Sequence, residues 1–438
     1  MSILTFKGGI HPKDGKAMSK AKAIKTLTPK GEIVIPLSQH IGAPASPCVE
    51  VGDRVLVGQK IGEAAGFISA NVHSSVSGTV KKIEPRQVAN GTMVNCVIIE
   101  NDESYEEAIL EHKAYDEMSK EDIRAAIKEA GIVGMGGAGF PTNVKLTPKD
   151  DDKIQYVIVN GAECEPYLTS DYRRMIEEPE VLIEGLKIVL SLFKNAKGII
   201  AIEDNKLDAI VNLKKLTKNE SNIEIKGVYT KYPQGGERQL IYATTGRCIN
   251  SKMLPADAGC IVDNVETIIA VYNAVKKGRP VMQRVATITG DAIVHPSNFL
   301  YSMGTSYEEL IEAAGGFKGT PAKVISGGPM MGFAMFTLDT PITKTSSSIL
   351  CFTKDQVAEY EPSACINCGR CVDACPSRII PSRLADFSER FDEASFVKWE
   401  GLECVECGSC SYVCPAKRHL KQSIGSMKKI VLANRRKK

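Results

Sequence analysis

Two cysteine runs carry the plainest chemistry in this sequence. Cys365, Cys368, Cys371 and Cys375 are spaced x2, x2 and x3 and are followed by Pro376; Cys404, Cys407, Cys410 and Cys414 repeat the register before Pro415. That register is the bacterial two-cluster iron–sulfur pattern, in which three thiolates wrap one corner of a 4Fe–4S cube and the fourth serves the other cube. Cluster I is therefore assigned to Cys365, Cys368, Cys371 and Cys414, and cluster II to Cys404, Cys407, Cys410 and Cys375. A pair of zinc knuckles would need no such register twice over and would usually include histidine. Cys48, Cys96, Cys248, Cys260 and Cys351 stand alone and read as buried small apolar residues, whereas Cys164 lies inside a second candidate site.

That second site starts at GIVGMGGAGFPTNVK, residues 131–145. Gly134, Gly136 and Gly139 match the spacing of a dinucleotide fingerprint, but a helical pattern precedes them where that motif requires a strand. Two readings stay open, a loop without ligand and a loop whose backbone N–H groups approach a phosphate or a flat ring. In the second, glycines permit the close approach and Lys145 supplies charge.

The elements that must position these residues fall into several domains, since 438 residues suggest about three. With 43% hydrophobic and 24% charged residues, the composition excludes wholesale disorder, collagen and a coiled-coil rod. The longest apolar stretch, 181–193, is broken by Glu184, Gly185 and Lys187 and falls short of the ~20 residues a spanning helix needs. The first residues show no secretory pattern, so a cytoplasmic location is expected, and there 14 cysteines point to metal ligation before disulfides. Net charge is +3, yet residues 415–438 hold nine Lys or Arg and no acid. A basic tail over 426–438 is expected, either facing an anionic partner or membrane surface or simply solvated.

Along the chain, 31–100 reads as short strands punctuated by turns, an all-β region. Ser119 can cap a helix carrying Ile123, Ala126 and Ile127 that Gly131 stops. Strands at 156–160, 198–204 and 223–233 alternate with helices opened by Pro179 and spanning 265–275, which makes 119–280 an α/β region. Strand, a helix capped by Ser306, and more strand over 282–340 suit a small α+β domain.

Three stretches carry resemblances. VEVGDRVLVGQKIGE with HSSVSGTVKKI resembles a biotinyl/lipoyl-type barrel-sandwich module; no lysine occupies the hairpin tip around 67–69, so a structural or docking role is expected in place of a swinging arm. RVATITGD and HPSNFLYSMGTSYEELIEAAGGF resemble the soluble-ligand-binding β-grasp domain, for which a packing role is expected. GMGGAGFPTNVK, VNGAECEP, YPQGGERQL and DNVET occur in the order and approximate spacing of the flavin-binding subunit of respiratory complex I. This chain departs from that subunit at Ala162, where it has an acid, and at Gly236, where it has the first of two glutamates. It also carries a ferredoxin module in place of a single-cluster helical bundle. With TFKGGIHPKDGK and IPLSQHIGAPA, the chain resembles, over essentially its whole length, the RnfC family of Rnf electron-transport complexes.

That resemblance implies a multidomain α/β plus β protein: a barrel-sandwich domain over 1–105, a complex-I-flavin-subunit-like α/β domain over 106–280, a β-grasp domain over 281–345 and a bacterial-ferredoxin-like double-cluster domain over 346–425. It implies that Gly134, Gly136, Gly137, Ala138 and Lys145 cradle FMN, that Asn160, Glu163, Asp263 and Asn264 bind its ring and ribityl chain, and that Tyr232 and Gly235 line the pocket. Phe140 would stack on a base of NADH, and Glu165 and Glu237 would accept from its hydroxyls. The implied function is electron transfer between NADH and ferredoxin within a membrane-bound, ion-translocating complex. The chain would sit peripherally on the cytoplasmic face, beside subunits A, B, D, E and G and without nucleic acid. The cobalamin reductase of diol-degrading microcompartments resembles the flavin and cluster regions, so a soluble flavin/iron–sulfur corrinoid reductase is the alternative. A non-enzymatic cluster-bearing scaffold is a third reading.

Overall fold

The computed structural model describes residues 4–108 and 112–436. An N-terminal segment leads to the short strand β1 (Ile24–Thr26), and the barrel sandwich follows. Its strands are β2 (Glu32–Pro36), β3 (Ser46–Pro47), β4 (Arg54–Val55), β5 (Lys60–Glu63), β6 (Val72–His73), β7 (Gly78–Gln87) and β8 (Met93–Asn101). They form one sheet of order β2-β8-β7-β4 facing a second of order β3-β5-β6. Alternation builds the interior: Ile33, Ile35, Val80, Val97 and Ile99 turn inward and are wholly buried. The hairpin tip between β5 and β6 carries Phe67, which is 81% exposed.

The α/β domain runs through α1 (Lys120–Glu129), α2 (Thr142–Lys145), β9 (Tyr156–Gly161), α3 (Ser170–Glu177), α4 (Pro179–Ser191), β10 (Lys197–Glu203), α5 (Leu207–Leu216), β11 (Ile223–Val228), α6 (Glu237–Thr245), β12 (Cys260–Asn264) and α7 (Val265–Lys277). Ser119 and Asp122 form a reciprocal capping box on α1. The four strands are parallel in the order β11-β10-β9-β12, so chain direction across the sheet reverses between β9 and β12. Both faces are covered, which is why the strands read as nearly continuous apolar runs. Val157, Val159, Ile200 and Ile202 meet α4 and α7 on one face, while Ile158, Ile199 and Ala201 meet Leu240 and Ile241 of α6 on the other.

The next sheet comprises β13 (Gln283–Thr289), β14 (Ser297–Ser302), β15 (Lys323–Ser326), β16 (Phe333–Met335) and β17 (Ser348–Phe352), with α8 (Tyr307–Ala313) between β14 and β15. It has six strands, ordered β1-β14-β13-β17-β15-β16, because β1 from the N-terminal segment pairs in parallel with β14. The boundary expected at 345 therefore shifts, since β17 beyond it pairs with both β13 and β15. Nor does this unit have a core of its own: Ile288, Tyr301, Tyr307 and Ile349 share one contiguous buried cluster with Leu186 and Ile268 of the flavin-like domain.

The cluster domain contains α9 (Arg370–Asp373), α10 (Pro381–Glu389), α11 (Glu393–Lys398), α12 (Ser409–Tyr412) and α13 (Leu420–Arg436). Leu384, Phe396, Leu420, Ile424, Met427 and Val431 pack its small core. Here the expectation of a basic tail is corrected. Residues 426–436 continue α13, with Met427 and Val431 buried while Lys429 and Arg435 face outward. The lysine-rich pattern hid an apolar stripe at helical spacing. Among the described residues no helix is long and apolar enough to cross a membrane.

Candidate functional site

Doubly wound sheets bind ligands in the crevice outside the carboxyl ends of the strands where the strand order reverses, which in this sheet is between β9 and β12. Asn160, the penultimate residue of β9, lies directly opposite Asn264, which ends β12. The glycine loop closes over this crevice. Val133 and Pro141 bridge its base, and the Gly134 N–H donates to the Phe140 carbonyl at 2.8 Å. Gly136, Gly137 and Ala138 form an exposed arch. A Cβ on Gly136 would lie 2.9 Å from that of Asn264, so the arch approaches β12 as closely as a backbone can.

Lys145 reaches back under the arch, donating to the Val262 carbonyl at 2.7 Å and to the Asp263 carboxylate at 3.0 Å. Burial works against its charge, but Asp263 and Glu237 outweigh burial and hold its pKa above the ordinary lysine value. Asp263 is pushed up by burial against the pull of Lys145, and its Oδ2 is buried without a partner. Glu237, in the first turn of α6, also faces this pair. A cation, two carboxylates and an arch of exposed peptide groups thus surround one crevice. The orphaned Asp263 oxygen fits a hydroxyl or ring N–H donor, and the open arch over Gly137 fits a phosphate, both of which FMN carries.

Not every residue assigned to the pocket faces it. Asn160 donates to the Gly235 carbonyl at 2.8 Å and so pins the 232–240 segment to β9. Asn264 caps α7 by accepting from the Glu266 N–H and donates to Asp171 at 2.6 Å. Glu163 is buried beneath its loop, accepting from the Asp171 N–H at 2.7 Å and lying 3.8 Å from the Lys16 ammonium. Burial and the neighbouring Glu163 push Asp171 up to about 7. Glu165 departs furthest from the reading that gave it NADH hydroxyls. Its Oε2 accepts from the Met330 N–H at 3.1 Å, and burial pushes its carboxyl up to about 7. The loop after β15 presses so closely that a Cβ on Gly328 would collide with this carboxylate. Tyr232 is likewise turned away from the crevice, with its hydroxyl donating to the Cys407 carbonyl at 2.8 Å.

Several supporting residues escaped the sequence reading. Lys16 donates to the carbonyls of Glu163, Glu165 and Leu168 at 2.9, 3.0 and 2.5 Å, and so holds a loop in which Glu163 and Tyr167 have positive φ. Non-glycine residues in that conformation cost on the order of 1 kcal/mol each. Arg284, 1% exposed, donates to the carbonyls of Met135 and Lys344 at the foot of the glycine loop. Thr267 accepts from the Met135 N–H at 2.9 Å. A lone Arg in the strand pattern of β13 was the one local signal for any of these.

The eight cysteines of the two runs gather in two groups of four. Cys365, Cys368, Cys371 and Cys414 line one cavity with Arg418; Cys375, Cys404, Cys407 and Cys410 line a second with Lys421. Among the described residues no three His, Cys, Asp or Glu side chains converge as a single metal ion requires. The two runs fold alike: Asn367 and Glu406 precede the second cysteines with positive φ, and Gly369 and Gly408 follow with φ 77° and 79°. The first cavity is solvent-facing, with Cys365 and Cys368 exposed, whereas Cys375, Cys407 and Cys410 of the second are buried. Cys164 packs beside Tyr232 and Cys407 and accepts from the Gly235 N–H at 3.2 Å. Of the isolated cysteines, Cys96, Cys260 and Cys351 are buried as expected, but Cys48 and Cys248 are exposed.

Known families match the same segments. The RnfC barrel sandwich hybrid domain matches residues 4–104, the Nuo51 FMN-binding domain 127–273, the SLBB domain 285–334 and the 4Fe-4S dicluster domain 356–418. The chain is 45% identical over 436 residues to the C component of the Na(+)-translocating ferredoxin:NAD(+) oxidoreductase complex of Acetobacterium woodii, covering 99% of this chain and 98% of that one. It is 45% identical over 390 residues to the proton-translocating counterpart of Clostridium ljungdahlii, covering 89% and 85%. Among solved structures it resembles an NAD+-reducing [NiFe]-hydrogenase. The H2-reduced state gives a TM-score of 0.50 at 19% identity and the air-oxidized state 0.52 at 20%. Each match covers 74% of this chain and spans 62% of the hydrogenase chain, a likeness of fold.

Proposed function

The chain belongs to the RnfC family of ion-translocating ferredoxin:NAD(+) oxidoreductase complexes, and from that premise we propose how its residues carry electrons between NADH and the ferredoxin side of such a complex. Bound FMN would supply a two-electron hydride acceptor, and the 4Fe–4S clusters one-electron carriers. The residues' part is to bind, orient and insulate. Gly134, Gly136, Gly137 and Ala138 present peptide N–H groups to the FMN phosphate, and Lys145, steadied by Asp263, supplies the countercharge. Asn160 and Gly235 form the wall of the crevice nearest cluster II. Glu237, and Phe140 at the end of the arch, are left to meet NADH. Glu163, Asn264, Glu165 and Tyr232 act through the scaffold.

The observation that carries this reading is the continuity from crevice to cluster. Asn160 holds Gly235, Gly235 donates to Cys164, and Cys164 packs with Tyr232 against Cys407. Cluster II therefore stands next to the crevice, and cluster I, with two exposed cysteines, stands next to the acceptor. In this reading the protein sits peripherally on the cytoplasmic face of the membrane, partnered by subunits A, B, D, E and G and reaching ferredoxin indirectly. Matches across the whole chain, N-terminal segment included, favour it over the corrinoid reductase. The test is the visible spectrum of anaerobically purified protein before and after NADH. Bleaching of both flavin and cluster bands is expected, and a spectrum indifferent to NADH would sink the proposal.

A further inference from the structure

Residues 4–20 precede the barrel-sandwich strands in sequence, yet they run along the seam between the flavin-like and cluster domains. Leu4 bridges to Val228 and Ile10 to Tyr232. The Lys231 ammonium donates to the carbonyls of Phe6 and Gly8 and lies 4.0 Å from the centre of the Phe6 ring. The Gly9 N–H donates to the Ala374 carbonyl at 2.9 Å, next to the cluster II ligand Cys375.

Gly8 and Gly9 have φ of 88° and 85°, a region that side chains rarely adopt. They also face opposite walls of the seam. A Cβ on Gly8 would lie 2.7 Å from the Cys375 carbonyl oxygen, and one on Gly9 would lie 2.8 Å from that of Tyr232. Both obstacles are backbone and cannot rotate away. Further along, Lys16 grips the loop that carries Cys164 through three carbonyls. One short segment thus touches the backbone at Ala374 and Cys375, the tyrosine at 232 and the loop behind the crevice.

We propose that residues 4–16 are a positioning strap that sets the separation between the flavin crevice and cluster II, with Gly8, Gly9 and Lys16 as positioning residues for electron transfer across it. This rests on the functional reading above. NADH yields NAD+, one proton and two electrons, and the two clusters take one electron each. The strap touches none of the reacting atoms. It acts on distance, on which electron tunnelling depends exponentially.

The test uses anaerobic, cofactor-loaded full-length protein mixed with NADH at a single turnover. Flavin and cluster bands are followed separately, and hydrogen exchange is measured over 370–376. Gly8→Ala and Gly9→Ala are compared with Gly52→Ala, a glycine at φ 99° with nothing within 4 Å of an added Cβ. Expected are wild-type flavin bleaching in all three variants and cluster bleaching slowed several-fold in the first two alone. Faster exchange at 374–375 should accompany the slowing. Should Gly8→Ala lose iron, Lys231→Met decides by the same ratio, since it removes two anchors and adds no atoms to the seam. Cluster bleaching as fast as in Gly52→Ala overturns the strap. Failure of NADH to bleach the flavin even in wild type overturns the functional reading instead.

Discussion

The hydroxyl of Tyr232 donates to the carbonyl of Cys407 across 2.8 Å, so the segment that Asn160 pins to β9 also fixes the backbone of a cysteine assigned to cluster II. Tyr232→Phe removes that bond and leaves a buried carbonyl without its donor, a loss of about 1 kcal/mol. Thermal unfolding should register this. Redox titration should shift cluster II while leaving cluster I at its wild-type potential. Equal shifts in both clusters would show that the bond does not act locally.

The crossed cysteine sets predict which cluster each substitution damages. Wild-type protein isolated without oxygen should contain about eight iron and eight acid-labile sulfide per chain. Cys414→Ser should disturb the spectrum of the solvent-facing cluster, and Cys375→Ser that of the buried one. Damage confined to the run in which each residue lies would refute the crossing.

Lys145 is the cation that reaches under the arch, and Asp263 and Glu237 already face it. Lys145→Glu would gather three carboxylates where the FMN phosphate is proposed to bind, so FMN should be absent from the purified variant. In wild type, acid precipitation should release FMN into the supernatant. Undiminished flavin in the variant would remove Lys145 from the site.

The two glutamates that the sequence pairs as NADH ligands part company in the fold. Glu237 is exposed in the first turn of α6, close enough to Lys145 to be felt by its charge, and under the proposed function Glu237→Gln should raise the apparent KM for NADH several-fold while FMN content stays normal. Glu165 is buried against Met330, so Glu165→Gln should leave that KM nearly unchanged. The reverse pattern would return Glu165 to the NADH site and move Glu237 to the surface.

Lys344 is buried at a junction of three domains, donating to the carbonyls of Asn71 and Gly131 at 2.6 and 2.7 Å. Burial lowers its pKa from 10.5 to about 7. The unfolded chain therefore holds this proton between pH 7 and 10.5 while the folded one has released it, so stability rises with pH there, by at most about 1.4 kcal/mol per unit. His73, lowered by burial and by Lys344 to about 3, acts in the same sense between pH 3 and 6.5. Denaturant titrations should show stability increasing from pH 7 to 9 in wild type and flattening in Lys344→Met. A parallel rise in the variant would assign the slope to other groups.

Local order carries far in this chain. The cysteine register, the capping box of Ser119 and Asp122, the apolar runs of β9 and β10 and the glycine arch all depend on neighbours in sequence, and each is legible from spacing alone. The proposed cluster pairing starts from the same register, in which a proline follows each fourth cysteine. What spacing could not supply was direction. Glu163, Glu165 and Tyr232 stand in the motif segments but point into the scaffold, because loops from β15 and from the N-terminal segment occupy the space around them. Lys16, Arg284 and Lys344 reach the site from far along the chain, and a buried charge finds its partners only when distant carbonyls are brought around it. The basic end reads as a tail until α10 and α11 offer an apolar surface for Ile424, Met427 and Val431 to cover. Strand β1 likewise becomes a strand only because β14 presents an open edge. Sequence determined which chemistry this protein can hold; the packing of one domain on another decided which side chains face it.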